Sequence, residues 1–263
     1  GFMICYITGS PTLGILVGAI GGVLINMIYA YCTINLCAEQ IVYGMAINIF
    51  APAVASFIYR VYFGVSSTLA QATLMKTIAI PVLKDIPLIG DADDVDVKHL
   101  APMVYIAYLL VPVTAIFFNR TKAGLNYKAV GEHPKAAETL GINVVRQKYF
   151  ACIICGLLAG IGGAYLTTCY VNTYSDGIVA GRGFIALSAV IFGHWTSSGV
   201  LLACLLFGFF DALQLRLQII SVTTPYQLFQ MLPYVFTLVA LTVMGAKKAG
   251  PKAKGQPYRR EER

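Results

Sequence analysis

Residues 149–170 read YFACIICGLLAGIGGAYLTTCY. It contains no charged side chain, and about 20 mainly apolar residues in a helix span the roughly 30 Å hydrocarbon core of a bilayer. Gly156, Gly160 and Gly163 lie at near-helical spacing, which predicts that a neighbouring helix approaches closely there. The stretch therefore predicts a membrane-spanning helix inside a helical bundle.

Other apolar segments lie on both sides of this stretch. The chain is 58% hydrophobic and 12% charged, whereas soluble globular domains carry about 25% charged residues. Residues 184–194 are apolar but short, and they predict a broken or re-entrant helix. Segments of spanning length occur at 13–31, 41–59, 102–118, 199–218 and 228–244. We therefore expect an all-α, polytopic membrane protein, a transmembrane helix bundle with about seven crossings.

Basic residues indicate how the chain is oriented in the membrane. Of the 19 Lys and Arg residues, six lie in residues 119–148 and seven in the tail after residue 244. Connections rich in Lys and Arg stay in the cytoplasm, so both regions are expected there. The acidic connection 64–101 is then expected outside, and these assignments agree only if 184–194 also crosses. The net charge of +7 is interpreted as a topology signal rather than a sign of nucleic-acid binding.

The domain organisation follows from this topology. Residues 1–244 are expected to form a transmembrane domain whose cytoplasmic loop is 119–148. Residues 245–263 are expected to form a basic cytoplasmic tail that is loosely ordered. The protein would then be a multi-pass protein of the bacterial cytoplasmic (inner) membrane.

Residue patterns that carry catalytic or metal chemistry do not stand out. Cys152 and Cys155 form a C-x-x-C, but zinc sites need four clustered ligands and no second pair accompanies them. The three histidines, His99, His133 and His194, fall in different parts of the predicted topology. The phosphate-binding pattern G-x-x-x-x-G-K-[ST] does not occur, so an ATP site would lie on another polypeptide. We expect no catalytic residue and no metal site in this chain.

One cytoplasmic stretch, NYKAVGEHPKAAETLGINVVRQKYF over 126–150, has helix-boundary signals. Pro134 suits the first turn of a helix and Gly141 the position just after its end, so Lys135 to Leu140 should form about two turns. An isolated helix of this length is marginal unless something packs on it. From these residues alone, an ordinary linker turn and a contact with a partner protein remain open.

The same stretch resembles the "EAA" coupling loop of ATP-binding cassette (ABC) import permeases, the short helix that docks on the ATP-hydrolysing subunit. The form G-E-x-P-x-A-A-x-x-x-G-I-N-V is typical of the branched-chain amino acid and simple-sugar permease family, and most similar to its members paired with nucleoside-binding lipoproteins. Further matching motifs cover nearly the whole chain: TGSPTLG at 8–14, GRGFIALSAVIFG at 181–193, FGFFDALQLRLQ at 207–218, MLPY at 231–234 and GQPYRREE at 255–262.

The resemblance implies partners and a coupling site. An ABC ATPase would bind ATP and Mg²⁺, so this chain itself would hold no cofactor and would not be an enzyme. A second permease, related but different, and an extracytoplasmic solute-binding lipoprotein would complete the importer, with membrane lipid around it. The coupling residues implied are Gly131, Glu132, Ala136, Ala137, Glu138 and Gly141. Two departures from the family are a missing opening helix, so that the chain looks truncated at its start, and His194 where a small residue is usual.

A solute pathway is expected around 181–193. Gly181 and Gly183 would let backbone line a cavity, and a helix beginning near Phe184 would expose amide groups to a polar solute. Phe184 and Trp195 could stack on a base or sugar ring, although simple packing explains them equally well. Asp211 is either part of this lining or of a structural polar cluster. The candidate pathway set is Gly181, Gly183, Phe184, Ser188, Trp195, Asp211 and Gln214, with Asn26 and Asn48 as weaker candidates.

The expected function is therefore that of an importer permease for a small polar solute, a nucleoside or a simple sugar. An ion-driven secondary transporter is the alternative, since it also shows glycine-broken helices. Asp211 would then be the intramembrane acid available for ion coupling. A membrane receptor or structural protein without transport activity is a further alternative.

Overall fold

A computed structural model of the chain describes residues 1–64, 78–79, 99–100, 102–171, 173–220, 231, 235, 250–256 and 258. The helices are α1 (Phe2–Thr8), α2 (Pro11–Ala30), α3 (Gln40–Phe63), α4 (Pro102–Arg120), α5 (Lys122–Glu132), α6 (Pro134–Thr139), α7 (Val144–Tyr165), α8 (Arg182–Phe192) and α9 (Ser197–Ile220). Five-residue π-helical turns extend α2 and α7, at Tyr31–Asn35 and Leu166–Tyr170. Two short strands, β1 (Ile78–Ala79) and β2 (His99–Leu100), pair antiparallel.

Five of the described helices are long and apolar enough to cross a membrane: Pro11–Asn35, Gln40–Phe63, Pro102–Arg120, Val144–Tyr170 and Ser197–Gln214. They confirm the spans predicted at 13–31, 41–59, 102–118, 149–170 and 199–218, and with them the all-α membrane class. The short apolar segment forms α8. The span predicted at 228–244 and most of the acidic connection 64–101 lie outside the described residues.

The chain forms two compact units. Unit 1 contains Gly1–Leu109, Pro134–Val179 and Gly255–Arg263, and unit 2 contains Leu110–His133 and Ala180–Lys254. The two units divide the chain differently from the predicted transmembrane domain and tail, whose boundary at residue 244 stays a prediction.

In unit 1, α2 and α7 pack along a seam of glycines. A Cβ added at Gly156 would lie 2.7 Å from the Gly22 carbonyl oxygen, and one at Gly18 would lie 2.8 Å from the Ala164 Cβ. Gly160 is equally close to the α2 backbone. Without side chains at these positions the two backbones come into contact, as in membrane helix pairs that meet at small residues. The close approach predicted at Gly156 and Gly160 is confirmed.

Gly163 does not belong to this seam. Among the described residues, no atom lies within 4 Å of a Cβ built there. The seam follows positions four residues apart on each helix, which is one of the ridges by which helices pack, and Gly163 lies off that row. The prediction for Gly163 was wrong because helical spacing alone does not say which row meets the neighbour.

Polar contacts fix the direction of the α2–α7 pair. Tyr149 Oη donates to Asn35 Oδ1 at 3.0 Å, so the end of α2 lies beside the start of α7. The Asn26 side chain donates to the Cys152 carbonyl oxygen. Asn26, a weaker pathway candidate, thus has a role in joining the two helices.

At the other end of unit 1, α3 meets the segment that follows α7. Arg60 Nη2 donates to Asp176 Oδ2 at 2.8 Å and Ser56 Oγ donates to Asp176 Oδ1 at 2.5 Å. These hydrogen bonds lower the pKa of Asp176 below its ordinary value. Both ionic side chains are more than half exposed, so the ion pair contributes little to stability.

In unit 2, α8 and α9 form a tight hairpin. Gly193 and Gly199 lie so close that a Cβ on Gly193 would meet the backbone of Val200. Phe192 and Phe207 pack edge to face with ring centroids 5.7 Å apart. The turn requires left-handed backbone at His194, with φ of 51°, and at Trp195, with φ of 58°.

Candidate functional site

The short helix predicted within residues 126–150 forms as its boundary signals predict. Pro134 occupies its first turn, and Gly141 follows its end with φ of +81°, a left-handed conformation that suits glycine. The Gly141 N–H donates to the Glu138 carbonyl oxygen at 2.9 Å and the Ile142 N–H to that of Ala137 at 3.1 Å. The observed helix, Pro134–Thr139, lies one residue earlier than the predicted Lys135 to Leu140.

This helix α6 has a buried side and an exposed side. Ala137 is 2% exposed and packs inside unit 1, whereas Ala136 and Thr139 are exposed. Leu140, just after the helix, is 79% exposed. The Leu140 side chain is therefore accessible to a partner protein.

The chain tail packs beside the same helix through Tyr258 and beside the start of α3 through Gln256. We call these two residues the tail contact. Tyr258 Oη donates to Glu138 Oε2, and Lys148 Nζ lies 5.3 Å from the centroid of the Tyr258 ring. Gln40 Nε2 donates to the Gln256 carbonyl oxygen at 3.4 Å. The expectation of a loosely ordered tail does not hold for these residues.

A cavity of about 220 Å³ lies between α6, the start of α7 and the tail contact. Its lining residues are Glu138, Gly141, Ile142, Asn143, Val144, Val145 and Tyr258. Sequence reasoning missed this site, although the motif GQPYRREE that carries Tyr258 was recognised. A tyrosine in an otherwise polar and basic tail was the available signal.

Gly131 and Glu132 lie at the end of α5, in unit 2. The Ala253 N–H donates to the Gly131 carbonyl oxygen at 3.1 Å, and Glu132 is exposed. The six predicted coupling residues are therefore shared between two units, with Ala136, Ala137, Glu138 and Gly141 in unit 1.

The tail also touches the α8–α9 turn within unit 2. Lys254 Nζ lies 4.9 Å from the centroid of the Trp195 ring, and a Cβ on Gly250 would lie 2.8 Å from the same ring. Because residues 250–254 contact both Trp195 and Gly131, the α8–α9 turn and the end of α5 lie at the same end of unit 2. This placement supports the prediction that 184–194 crosses, which stays a prediction.

The seven residues of the candidate pathway set fall in unit 2, at different points of the α8–α9 hairpin, whereas the weaker candidates Asn26 and Asn48 belong to unit 1. Gly181 precedes α8 with φ of +75°, and no described atom lies within 4 Å of a Cβ built on Gly183. Phe184 is 67% exposed, and Ser188 Oγ donates to the Phe184 carbonyl oxygen at 2.9 Å. The start of α8 thus leaves its backbone and one aromatic ring uncovered by the part of the chain that the structure describes.

Trp195 lies beyond the other end of α8, under the tail. Phe184 and Trp195 are separated by the length of the helix, so the structure does not bring these two rings together into one stacking site. Asp211 and Gln214 lie three residues apart on α9, which places them on one helix face, and both are partly buried.

A family model described as the permease component of branched-chain amino acid transport systems matches residues 1–241. The chain belongs to this permease family. The match includes α1 to α9 and therefore α6 and the α8–α9 hairpin.

Relatives of this permease are similar over most of their length. The nucleoside ABC transporter permease protein NupC of Lactococcus lactis is 35% identical over 95% of this chain and 78% of its own. The guanosine ABC transporter permease protein NupQ of Bacillus subtilis is 34% identical over the same shares. A Haloferax volcanii protein provisionally named a glucose ABC transporter permease is 31% identical over 99% of this chain and 85% of its own. No solved structure gives a significant match.

Family membership and the described helices together establish the general role of the chain. It is a transmembrane permease subunit of an ABC importer and a multi-pass protein of the bacterial cytoplasmic membrane.

Proposed function

We propose that this permease forms the path along which a nucleoside enters the cell. Its support is the similarity to two permeases named for nucleoside and guanosine transport, each covering 95% of this chain. The relative named for glucose transport makes a simple sugar the second solute class to be tested.

The energy comes from a separate ATPase. ATP and Mg²⁺ bind to that subunit, and this chain contributes no cofactor site and no catalytic residue. The ATPase contacts the exposed side of α6, where Ala136, Thr139 and Leu140 are accessible. A second, related permease and a solute-binding lipoprotein complete the assembly.

The solute passes the start of α8. Gly181 and Gly183 keep the backbone accessible there, and the 67% exposed Phe184 ring offers a flat apolar face. Aromatic faces stack on nucleobases with about 1–3 kcal/mol per base. Ser188, Asp211 and Gln214 are the polar groups of the same hairpin that would contact the ribose or base edges.

An ion-coupled secondary transporter is disfavoured. Among the described membrane-spanning helices, Asp211 is the one acidic residue. A secondary transporter also has no ATPase subunit that an exposed coupling helix could contact.

Competition for uptake tests the solute assignment. Cells that express the permease with its partners should take up labelled guanosine, adenosine or uridine, and excess unlabelled nucleoside should suppress this uptake while excess glucose leaves it unchanged. A matched strain with Phe184→Ala should keep normal amounts of permease but transport nucleosides several-fold more slowly. Uptake of labelled glucose that nucleosides do not suppress would overturn the proposal.

A further inference from the structure

The coupling helix α6 is short and is exposed along one side. It has two turns, and an isolated helix shorter than about 12 residues is marginal in water. Ala137 gives it one buried apolar contact, whereas Ala136, Thr139 and Leu140 face outward. If an ATPase pushed on the exposed side of α6, the helix would tilt about Ala137 unless a second contact held it.

Tyr258 supplies that second contact. Its hydroxyl donates to the Glu138 carboxylate on α6, and its ring lies under the ammonium group of Lys148 on α7. One tail side chain thus joins the coupling helix to the first turns of a membrane-spanning helix. A hydroxyl bonded to a carboxylate and a ring facing a cation are both stronger than neutral contacts.

The tail backbone ties the same point to α2 and α3. Cys37 Sγ lies 3.6 Å from the Tyr258 carbonyl oxygen, and the Gln40 side chain donates to the Gln256 carbonyl oxygen at 3.4 Å. Cys37 lies in the connection between α2 and α3, and Gln40 is the first residue of α3. The tail contact therefore bridges three pieces of unit 1 that are far apart in sequence.

We propose that Tyr258 is a positioning residue for energy transmission. It attaches α6 to α7 and to the α2–α3 connection. A displacement of α6 therefore moves these membrane helices, whereas without the attachment α6 alone would tilt. This inference rests on the proposed ATPase contact at α6. This role of Tyr258 requires no contact with the solute or with ATP.

Native Cys37 reports on the tail contact without any assumption about transport. In membranes containing the permease, Tyr258→Ala should raise the rate at which N-ethylmaleimide modifies Cys37 by about fivefold or more. The variant loses the side chain that anchors the tail on Glu138 and Lys148, so the Tyr258 carbonyl oxygen no longer stays against the Cys37 sulfur. Gln256→Ala is the matched control, since its backbone carbonyl remains to accept from Gln40, and it should leave the rate unchanged. Peptide mass spectrometry distinguishes Cys37 from the other cysteines.

Uptake per ATP hydrolysed tests the transmission itself. In the reconstituted importer, Tyr258→Phe removes the hydroxyl that bonds Glu138 but keeps the ring under Lys148. We expect about a fivefold fall in solute transported per ATP, with unchanged basal ATP hydrolysis and unchanged assembly. Adding Glu138→Gln to Tyr258→Phe should cause little further loss, because the bond that Glu138→Gln would weaken is already absent.

The outcomes separate this inference from the proposed function. Wild-type coupling of transport to ATP, together with a normal ratio in Tyr258→Phe, would overturn the inference and leave the proposed function in place. Uptake that needs no ATPase would remove the proposed function, whereas Cys37 protection would still show whether the tail contact exists. A fall in assembled importer with a normal ratio would mean that Tyr258 is merely structural, which also contradicts the inference.

Discussion

His194 shows how a single residue can depart from its family for a reason that only the backbone reveals. Members of the permease family usually have a small residue at this position. The structure gives it a φ of 51°, a region that glycine occupies freely and that histidine tolerates better than β-branched residues do. Its Nδ1 lies 2.8 Å from the Phe192 carbonyl oxygen, and this hydrogen bond offsets part of the strain.

The first prediction concerns the stability of this turn. His194→Gly removes the strain and the hydrogen bond together, so the midpoint of thermal unfolding in detergent should change little. His194→Val keeps the strained backbone and loses the bond, and it should cost about 2 kcal/mol. Equal melting temperatures for the Gly and Val variants would contradict this account.

The second prediction compares two glycines that look alike in sequence. Gly183 borders open space, whereas a Cβ on Gly160 would lie 2.9 Å from the Ala19 Cα. Gly160→Val should therefore reduce the amount of folded permease, since overpacking costs about 1–3 kcal/mol. Gly183→Val should give normal amounts but slow uptake per folded permease.

Size-exclusion chromatography of fluorescently tagged variants measures the folded amount, and uptake is divided by it. If Gly183→Val transports at the wild-type rate, the start of α8 does not line the pathway. If Gly160→Val folds normally, the α2–α7 seam is not as close as the structure has it.

At the scale of elements, the sequence predicted where helices begin and end better than it predicted which helices pack together. Pro134 and Gly141 defined α6 to within one residue, because helix capping depends on neighbours in sequence. The glycines of α7 predicted that another helix packs closely against it. They did not identify α2 as that helix, because several helices in this chain carry small residues. The tail contact was not predictable, since Tyr258 meets Glu138 and Lys148 only after the bundle has folded.

A third prediction belongs to the coupling helix. Leu140 is 79% exposed and lies outside the packed side of α6, so Leu140→Asp should leave membrane insertion intact. It should weaken retention of the ATPase during purification by about tenfold or more, as expected for a buried apolar anchor in an interface. Leu140→Met keeps an apolar side chain and should retain the ATPase. Undiminished retention in Leu140→Asp would place the ATPase contact elsewhere.

For the whole molecule, composition predicted the membrane class, which the described helices confirm, whereas the orientation predicted from the basic residues stays a prediction. The division into two units was not visible, because α4 begins in one unit and ends in the other. Tail residues meet the end of α5 within unit 2 and α6 within unit 1, as expected if the tail and the 119–148 connection share one side of the membrane.

The fourth prediction tests this orientation. Lys128 lies on α5 with its ammonium group 2.9 Å from Asn119 Oδ1, outside the membrane-spanning helices. In a variant without the native cysteines, Lys128→Cys should react with a membrane-impermeant maleimide only after the cells are opened. Ser66→Cys, in the connection expected outside, is the matched control and should react in intact cells. Labelling of Lys128→Cys in intact cells would invert the topology.

The central claim is that ATP hydrolysis by a partner drives solute through this chain, and transport in proteoliposomes tests it most directly. The complete importer is reconstituted, labelled nucleoside and binding protein are added outside, and ATP is enclosed in the lumen. The account predicts that nucleoside accumulates inside only with enclosed ATP, and that replacing the phosphate-loop lysine of the ATPase abolishes accumulation. Accumulation driven by a proton or sodium gradient without ATP would contradict it.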